Sequence, residues 1–164
     1  LFTPSTKAKD GHDINISAQD YYDEMGKGGE KAVEMFKNAY MKAYAYARNK
    51  GILILDTKFE GLDIIADEVL TPDSSRFTTE EDWKQAMRGK RDPIFYDKEV
   101  VRQWGKTVET PFGTTGIHTL DPENDEHVAF VHGLEVPKKI IKETNERYLN
   151  IYYRLTLDNK INKF

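Results

Sequence analysis

The chain has no cysteine among its 164 residues, which excludes a disulfide scaffold, thiolate metal sites and a cysteine nucleophile. No apolar run approaches the roughly 20 residues of a membrane span, and no signal-peptide pattern is visible. Positive charge is not in excess. Lysine and arginine number 24 against 28 aspartates and glutamates, a formal net charge of −4, so the basic field of a nucleic-acid or acidic-membrane binder is missing. Histidine is scarce, and the spacing of His118, His127 and His132 fits no zinc pattern, so they read as surface residues. The absence of cysteine is also compatible with a cytoplasmic location. With 38% hydrophobic and 32% charged residues, the chain can bury the core of one domain.

The richest segment present is Gly51 to Arg76. An apolar strand, Ile52-Leu53-Ile54-Leu55, leads into Asp56-Thr57-Lys58-Phe59-Glu60. Strand alternation places Asp56, Lys58 and Glu60 on one face and Leu53, Leu55 and Phe59 on the other, the face expected to meet the core. Gly61-Leu62-Asp63 has turn chemistry, so Ile64-Ile65-Ala66 is expected to return antiparallel. With the turn centred between Leu62 and Asp63, Lys58 sits across from Asp67 and Glu60 lies diagonal to it, about 7–8 Å away at the backbone. Two carboxylates so placed can share a divalent cation, since Mg²⁺ takes one or two protein carboxylates and fills its shell with water and phosphate oxygens. A surface hairpin with an ion pair accounts for the same residues equally well. A slipped register would turn Asp67 to the core face. Thr71-Pro72-Asp73-Ser74-Ser75-Arg76 reads as a turn. Its two serine hydroxyls beside a guanidinium make a candidate anion cradle, with a helix N-cap and a surface arginine as the commoner alternative.

Around this segment the pattern is helical. Ser17 is expected to cap a short helix through Glu24, with Asp20 three positions on. Gly26-Lys27-Gly28-Gly29 reads as a helix boundary rather than a phosphate loop, because it lacks the lysine-serine/threonine ending and follows no strand. A long helix over 30–49 has Ala32, Val33, Phe36, Ala39, Tyr40, Ala43, Tyr44 and Ala47 on its apolar side. Tyr40, Tyr44 and Tyr46 are expected in the core or at an interface. Thr79 should cap a helix with Trp83 and Met87, and another begins near Asp97 with Val100, Val101 and Trp104. Residues 107–134, with two prolines and three glycines, read as loop. Pro137 opens a last helix through about Leu155. The balance is α+β, an antiparallel sheet with packed helices.

Asp56 to Glu60 and Asp67 to Arg76 resemble the two signature motifs of the SAICAR synthetase family of purine biosynthesis. The resemblance continues in Thr3-Pro4-Ser5-Thr6-Lys7 with Gly11-His12-Asp13, in Tyr96-Asp97-Lys98 with Val101, Arg102 and Trp104, and in Val136-Pro137 through Glu143-Thr144, Glu146-Arg147-Tyr148 and Tyr153 to Thr156. These anchors follow the family's order over nearly the whole chain. Two departures stand out. The family opens with a lobe that covers ATP, which precedes the matched part. Its first motif also continues into a longer hairpin loop, where this chain has Gly61-Leu62-Asp63. The expectation is that segments are left out at both places, and that 1–164 is the C-terminal substrate- and Mg–ATP-binding lobe of an ATP-grasp/kinase-related fold.

The resemblance implies a ligase that joins L-aspartate to carboxyaminoimidazole ribonucleotide, consuming ATP through an acyl phosphate, with no nucleic-acid or membrane partner and a possible homo-oligomer. It implies Mg²⁺ on Glu60 and Asp67, with Lys58 neutralising charge between phosphate and substrate carboxylate and Asp56 orienting Lys58 or a metal-bound water. Ser74, Ser75 and Arg76 would hold the ribonucleotide's 5′-phosphate or a neighbouring anionic group, and Asp73 would bond its imidazole amine or ribose. Lys7, His12 and Asp13 join as substrate-binding candidates. Two rival readings are a non-catalytic ribonucleotide-binding or interaction domain and another Mg²⁺-dependent phosphotransferase.

Overall fold

The computed structural model describes residues 1–6 and 13–157. Five helices and four short strands follow in the order α1 (Ala18–Asn49), β1 (Ile52–Thr57), β2 (Glu60–Gly61), β3 (Ile65–Ala66), β4 (Ser75–Thr79), α2 (Glu80–Gly89), α3 (Glu99–Lys106), a 3-10 turn (Ile117–Thr119), α4 (Asp125–His132) and α5 (Lys138–Thr156). The fold is α+β, as the pattern of the sequence predicts. In place of one antiparallel sheet there are two two-stranded ones, β1 with β4 and β2 with β3. None of the described helices is long and apolar enough to cross a membrane.

Two compact units are distinguished, one formed by residues 1–43 and 59–69, the other by 44–58 and 70 onward. In the first, Ser17 caps α1 as expected: its Oγ accepts from the Asp20 N–H at 3.0 Å while Asp20 Oδ2 accepts from the Ser17 N–H at 3.3 Å, a reciprocal box that satisfies donors at the helix start. The expected break appears inside α1 as a single non-helical residue, Gly26 at φ 55° and ψ −141°, a region glycine enters at little cost. All eight residues assigned to the apolar side of the long helix are buried or half-buried, with Ala32 and Val33 at 0% and 3% exposure.

The second unit is built on the β1–β4 ladder. Ile52, Ile54 and Phe77 are buried with Ala86 of α2, Val100 of α3 and Ile151 of α5. Thr79 caps α2, its hydroxyl accepting from the Asp82 N–H at 3.0 Å. The stretch expected to be loop contains α4. Asn124 caps it by accepting from the Glu126 and His127 N–H groups, a signal that the prolines and glycines around it obscure. His127 therefore lies on a helix, its Nδ1 accepting from the Asp121 N–H. Tyr46 is exposed, and its hydroxyl donates to the Leu155 carbonyl at 2.7 Å.

Candidate functional site

In the second unit the chemistry gathers where β1 and β4 end. Ile54 lies opposite Phe77 and Asp56 opposite Arg76, so Leu55 is an extra residue, a β-bulge. Plain alternation would give Asp56 the face of Ile52 and Ile54. The bulge instead moves Asp56 to the Leu53–Thr78 side and puts Thr57, opposite Ser75, on the side of Ile54 and Phe77. This corrects the expected faces: Ile52 and Ile54 are the buried pair, while Leu53 and Leu55 are half-buried.

Asp56 meets Arg76 across the ladder, Oδ2 to NH1 at 3.5 Å, and Asp97 approaches the same guanidinium from Oδ2 to Nε at 3.6 Å. The two carboxylates differ sharply, with side-chain exposures of 62% for Asp56 and 8% for Asp97. The guanidinium carbon also sits 5.2 Å from the centre of the Phe95 ring, within cation–π range. Asp97 Oδ1 accepts from the Glu99 N–H at 2.8 Å. Burial pushes the Asp97 carboxyl above its ordinary range, opposed by the Glu99 N–H and by Arg76.

The Thr71–Arg76 segment is a turn only as far as Ser74, since Ser75 and Arg76 belong to β4. Ser75 is 5% exposed and its hydroxyl bonds Thr57 Oγ1 at 2.8 Å. The Ser75 hydroxyl is thus turned into the ladder, where it pairs with that of Thr57. Ser74 remains half-exposed at the turn, its Oγ accepting from the Thr71 N–H at 3.1 Å. Asp73 is exposed and accepts from the Tyr148 hydroxyl of α5 at 2.6 Å. Lys58 is exposed, and its backbone N–H donates to the Ser74 carbonyl at 2.8 Å, which prolongs the ladder by one residue. Asp56, Lys58, Asp73, Ser74, Ser75 and Arg76 thus lie at one end of one ladder.

In the first unit, Glu60 pairs with Ala66 and Gly61 with Ile65. This replaces the expected register by one step, with a three-residue turn at 62–64, and Lys58 lies outside this ladder. In this register Asp67 is the residue after the partner of Glu60, so regular alternation would turn it to the face opposite Glu60 rather than to the shared face that was expected. Asp67 has φ 62°, a left-handed conformation that aspartate tolerates and that ends the alternation. Gly61, at φ 135°, is required here because a Cβ would lie 1.9 Å from the Ile64 carbonyl oxygen. Phe59 stacks on Phe36 of α1 at 5.3 Å and 8° and so tethers the hairpin. Among the described residues no group of three or more metal-ligating side chains occurs. Glu60 and Asp67 are carboxylates of this hairpin, and a hard cation such as Mg²⁺ needs only one or two protein carboxylates. Two clefts of about 320 and 560 Å³ run along α1, lined by residues such as Glu34, Lys37 and Lys42, and hold none of the predicted site residues. Asp13 is exposed beside the Ser5–Asn15 bridge. Lys7 and His12 lie outside the described residues.

Reasoning from sequence missed Asp97, Phe95 and Tyr148 as neighbours of the site. A signal existed for Asp97, an aspartate two residues before the first turn of a helix. None existed for Tyr148, whose contact with Asp73 spans 75 residues.

The family model described as SAICAR synthetase matches residues 1–116. Phosphoribosylaminoimidazole-succinocarboxamide synthases of Maridesulfovibrio salexigens and Saccharomyces cerevisiae are 40% and 36% identical to the chain, each over 95% of it. The chain spans about half the length of these relatives, 48% and 47%. A Saccharomyces cerevisiae SAICAR synthase solved in complex with SAICAR superposes with a TM-score of 0.64 at 33% identity, over 96% of this chain and 46% of that one. A second SAICAR synthase structure gives 0.59 at 29% identity, over 92% and 49%.

Proposed function

The chain belongs to the SAICAR synthetase family, and from that premise we propose that it is the substrate- and Mg–ATP-binding part of an ATP-dependent C–N ligase of purine biosynthesis. The reaction joins L-aspartate to carboxyaminoimidazole ribonucleotide. A substrate carboxylate oxygen attacks the γ-phosphorus of ATP and ADP leaves. The aspartate amine then attacks the acyl carbon, phosphate departs with the C–O bond electrons, and the amine loses a proton to solvent. No enzyme nucleophile is needed, in keeping with a chain without cysteine.

The observation that carries the proposal is Arg76, a part-exposed guanidinium fixed at a ladder end beside Lys58 and Ser74. Arg76 with Ser74 receives an anionic group of the ribonucleotide, for which the planar guanidinium fork is suited. The Lys58 ammonium neutralises charge between phosphate and the substrate carboxylate, with Asp56 orienting the cationic groups. Asp73, its rotamer fixed by Tyr148, accepts from the imidazole amine or ribose. In the other unit Glu60 and Asp67 would hold Mg²⁺, which would supply charge neutralisation to the polyphosphate. Asp13, with Lys7 and His12, is assigned to substrate binding on the resemblance alone.

The test is ADP release by the full-length protein in a coupled assay, with and without L-aspartate and the ribonucleotide. Release that requires both supports the ligase. Release indifferent to aspartate would make the protein another phosphotransferase, and ribonucleotide binding with no release at all would make it a binding domain.

A further inference from the structure

A guanidinium that receives an anion must present the same edge each time, and arginine has four rotatable side-chain bonds with which to miss. The surroundings of Arg76 deal with this asymmetrically. Its Nε edge faces Asp97, a carboxylate with 8% side-chain exposure, while its NH1 edge faces Asp56, with 62%. Asp97 is itself immobilised. Its other oxygen accepts from the Glu99 N–H. The preceding residues are tied on both sides: the Tyr96 N–H donates to the Phe77 carbonyl in β4, and Arg147 of α5 donates to the Phe95 carbonyl at 2.8 Å. Phe95 then supplies a flat surface against the guanidinium. Arg147 is in turn held by Glu143 at 2.7 Å. A buried carboxylate with so many restraints cannot follow a moving arginine, whereas an exposed one can yield its place to a ligand.

We propose that Asp97 is the positioning residue of Arg76, holding its Nε edge from the buried side so that the NH1 edge, occupied by Asp56 when no ligand is bound, is the one offered to the ribonucleotide's anionic group. The inference rests on the reading of Arg76 given under Proposed function. Burying a carboxylate in this way carries a desolvation cost, visible in the upward push on its carboxyl, and a surface arginine kept only for solubility would need no such partner.

A double-mutant cycle tests it. In the full-length protein, Asp97→Asn keeps the size and the acceptor for the Glu99 N–H but removes the charge. It should raise KM for the ribonucleotide roughly tenfold, by analogy with the lower end of what losing the orienting partner of a metal ligand costs, with kcat little changed. On an Arg76→Gln background the same substitution should add nothing. If Asp97→Asn raises KM as much on that background, its role is structural and the proposal is overturned. If Arg76→Gln raises KM while Asp97→Asn does not, the proposal falls and the reading of Arg76 stands. If Arg76→Gln leaves KM unchanged, both fall. Should Asp97→Asn not fold, nitrogen-15 NMR of the unmodified protein decides. A slowly exchanging Arg76 Nε–H supports the anchor, and exchange as fast as that of exposed Arg88 overturns it.

Discussion

The β1–β4 ladder and the β2–β3 hairpin carry the two halves of the proposed chemistry on very different foundations. The ladder has five paired positions and a buried face of Ile52, Ile54 and Phe77. The hairpin has two pairs, an exposed turn with Ile64 at 73% exposure, and one aromatic stack behind it. Two strands of this length are marginal by themselves. The contrast suits what each would hold on the proposed assignment. A guanidinium that selects an anion by geometry gains from a rigid mount. Carboxylates that bind a hydrated cation can be fewer and less rigidly mounted, because waters complete the ion's shell, and a bound ion would lend the hairpin stability.

The sharpest test separates turnover from stability at the hairpin. Glu60→Gln and Asp67→Asn each remove a charge from a half-buried or exposed side chain, so each should abolish ADP release in the full-length protein while the melting temperature stays within a few degrees, as for ordinary surface substitutions. Near-normal activity at limiting Mg²⁺ in either variant would remove the hairpin from the comparison. The ladder should behave in the opposite way. Phe77 is 1% exposed, so Phe77→Ala should cost about 3–5 kcal/mol of stability through lost burial and a residual cavity, measured by urea denaturation. A loss below about 1 kcal/mol would mean that the ladder is not the rigid mount described.

Gly61→Ala probes the hairpin backbone with a smaller effect. A methyl group 1.9 Å from the Ile64 carbonyl cannot be accommodated, so the turn must open, at a cost of about 1 kcal/mol or more. That corresponds to a melting temperature lower by roughly 2–4 °C per kcal/mol, with the KM for Mg–ATP rising well before the KM for the ribonucleotide. Equal rises in both would erase the division of labour between hairpin and ladder.

Legibility in the sequence divides along the same line. Helices set by spacing and caps, such as α1 with its Ser17–Asp20 box and α2 with Thr79, are readable because their signals are local. The pairing of β1 with β4 is not, since the partner lies past an intervening hairpin and Thr71-Pro72-Asp73 disguises the approach to Ser75. The bulge at Leu55 escapes too, and one extra residue was enough to exchange the faces of Asp56 and Thr57. The residue types at the site could be named from the motifs, whereas Asp97 and Tyr148 reach it only through tertiary packing. Ser75 is a case where burial could not be read from the motif, its hydroxyl being turned onto Thr57.

The smallest expected effect is a pH dependence at the ladder's anchor. Burial raises the Asp97 carboxyl in the folded state above its unfolded value, against the pull of the Glu99 N–H and Arg76. A carboxylate with a raised folded pKa binds its proton more tightly when folded, so its contribution to stability is complete below the unfolded pKa, near 4. That contribution is lost as pH rises through the folded pKa. Asparagine does not titrate. The melting temperature of Asp97→Asn relative to the unmodified protein should therefore climb as the pH moves from about 4 towards neutrality. A flat difference would mean that attraction to Arg76 balances desolvation, and one that falls with pH that it outweighs it; in either case the ladder holds its arginine without net cost. The contrast with the hairpin, whose acidic side chains remain in contact with water, would then lose its energetic basis and keep only its geometric one.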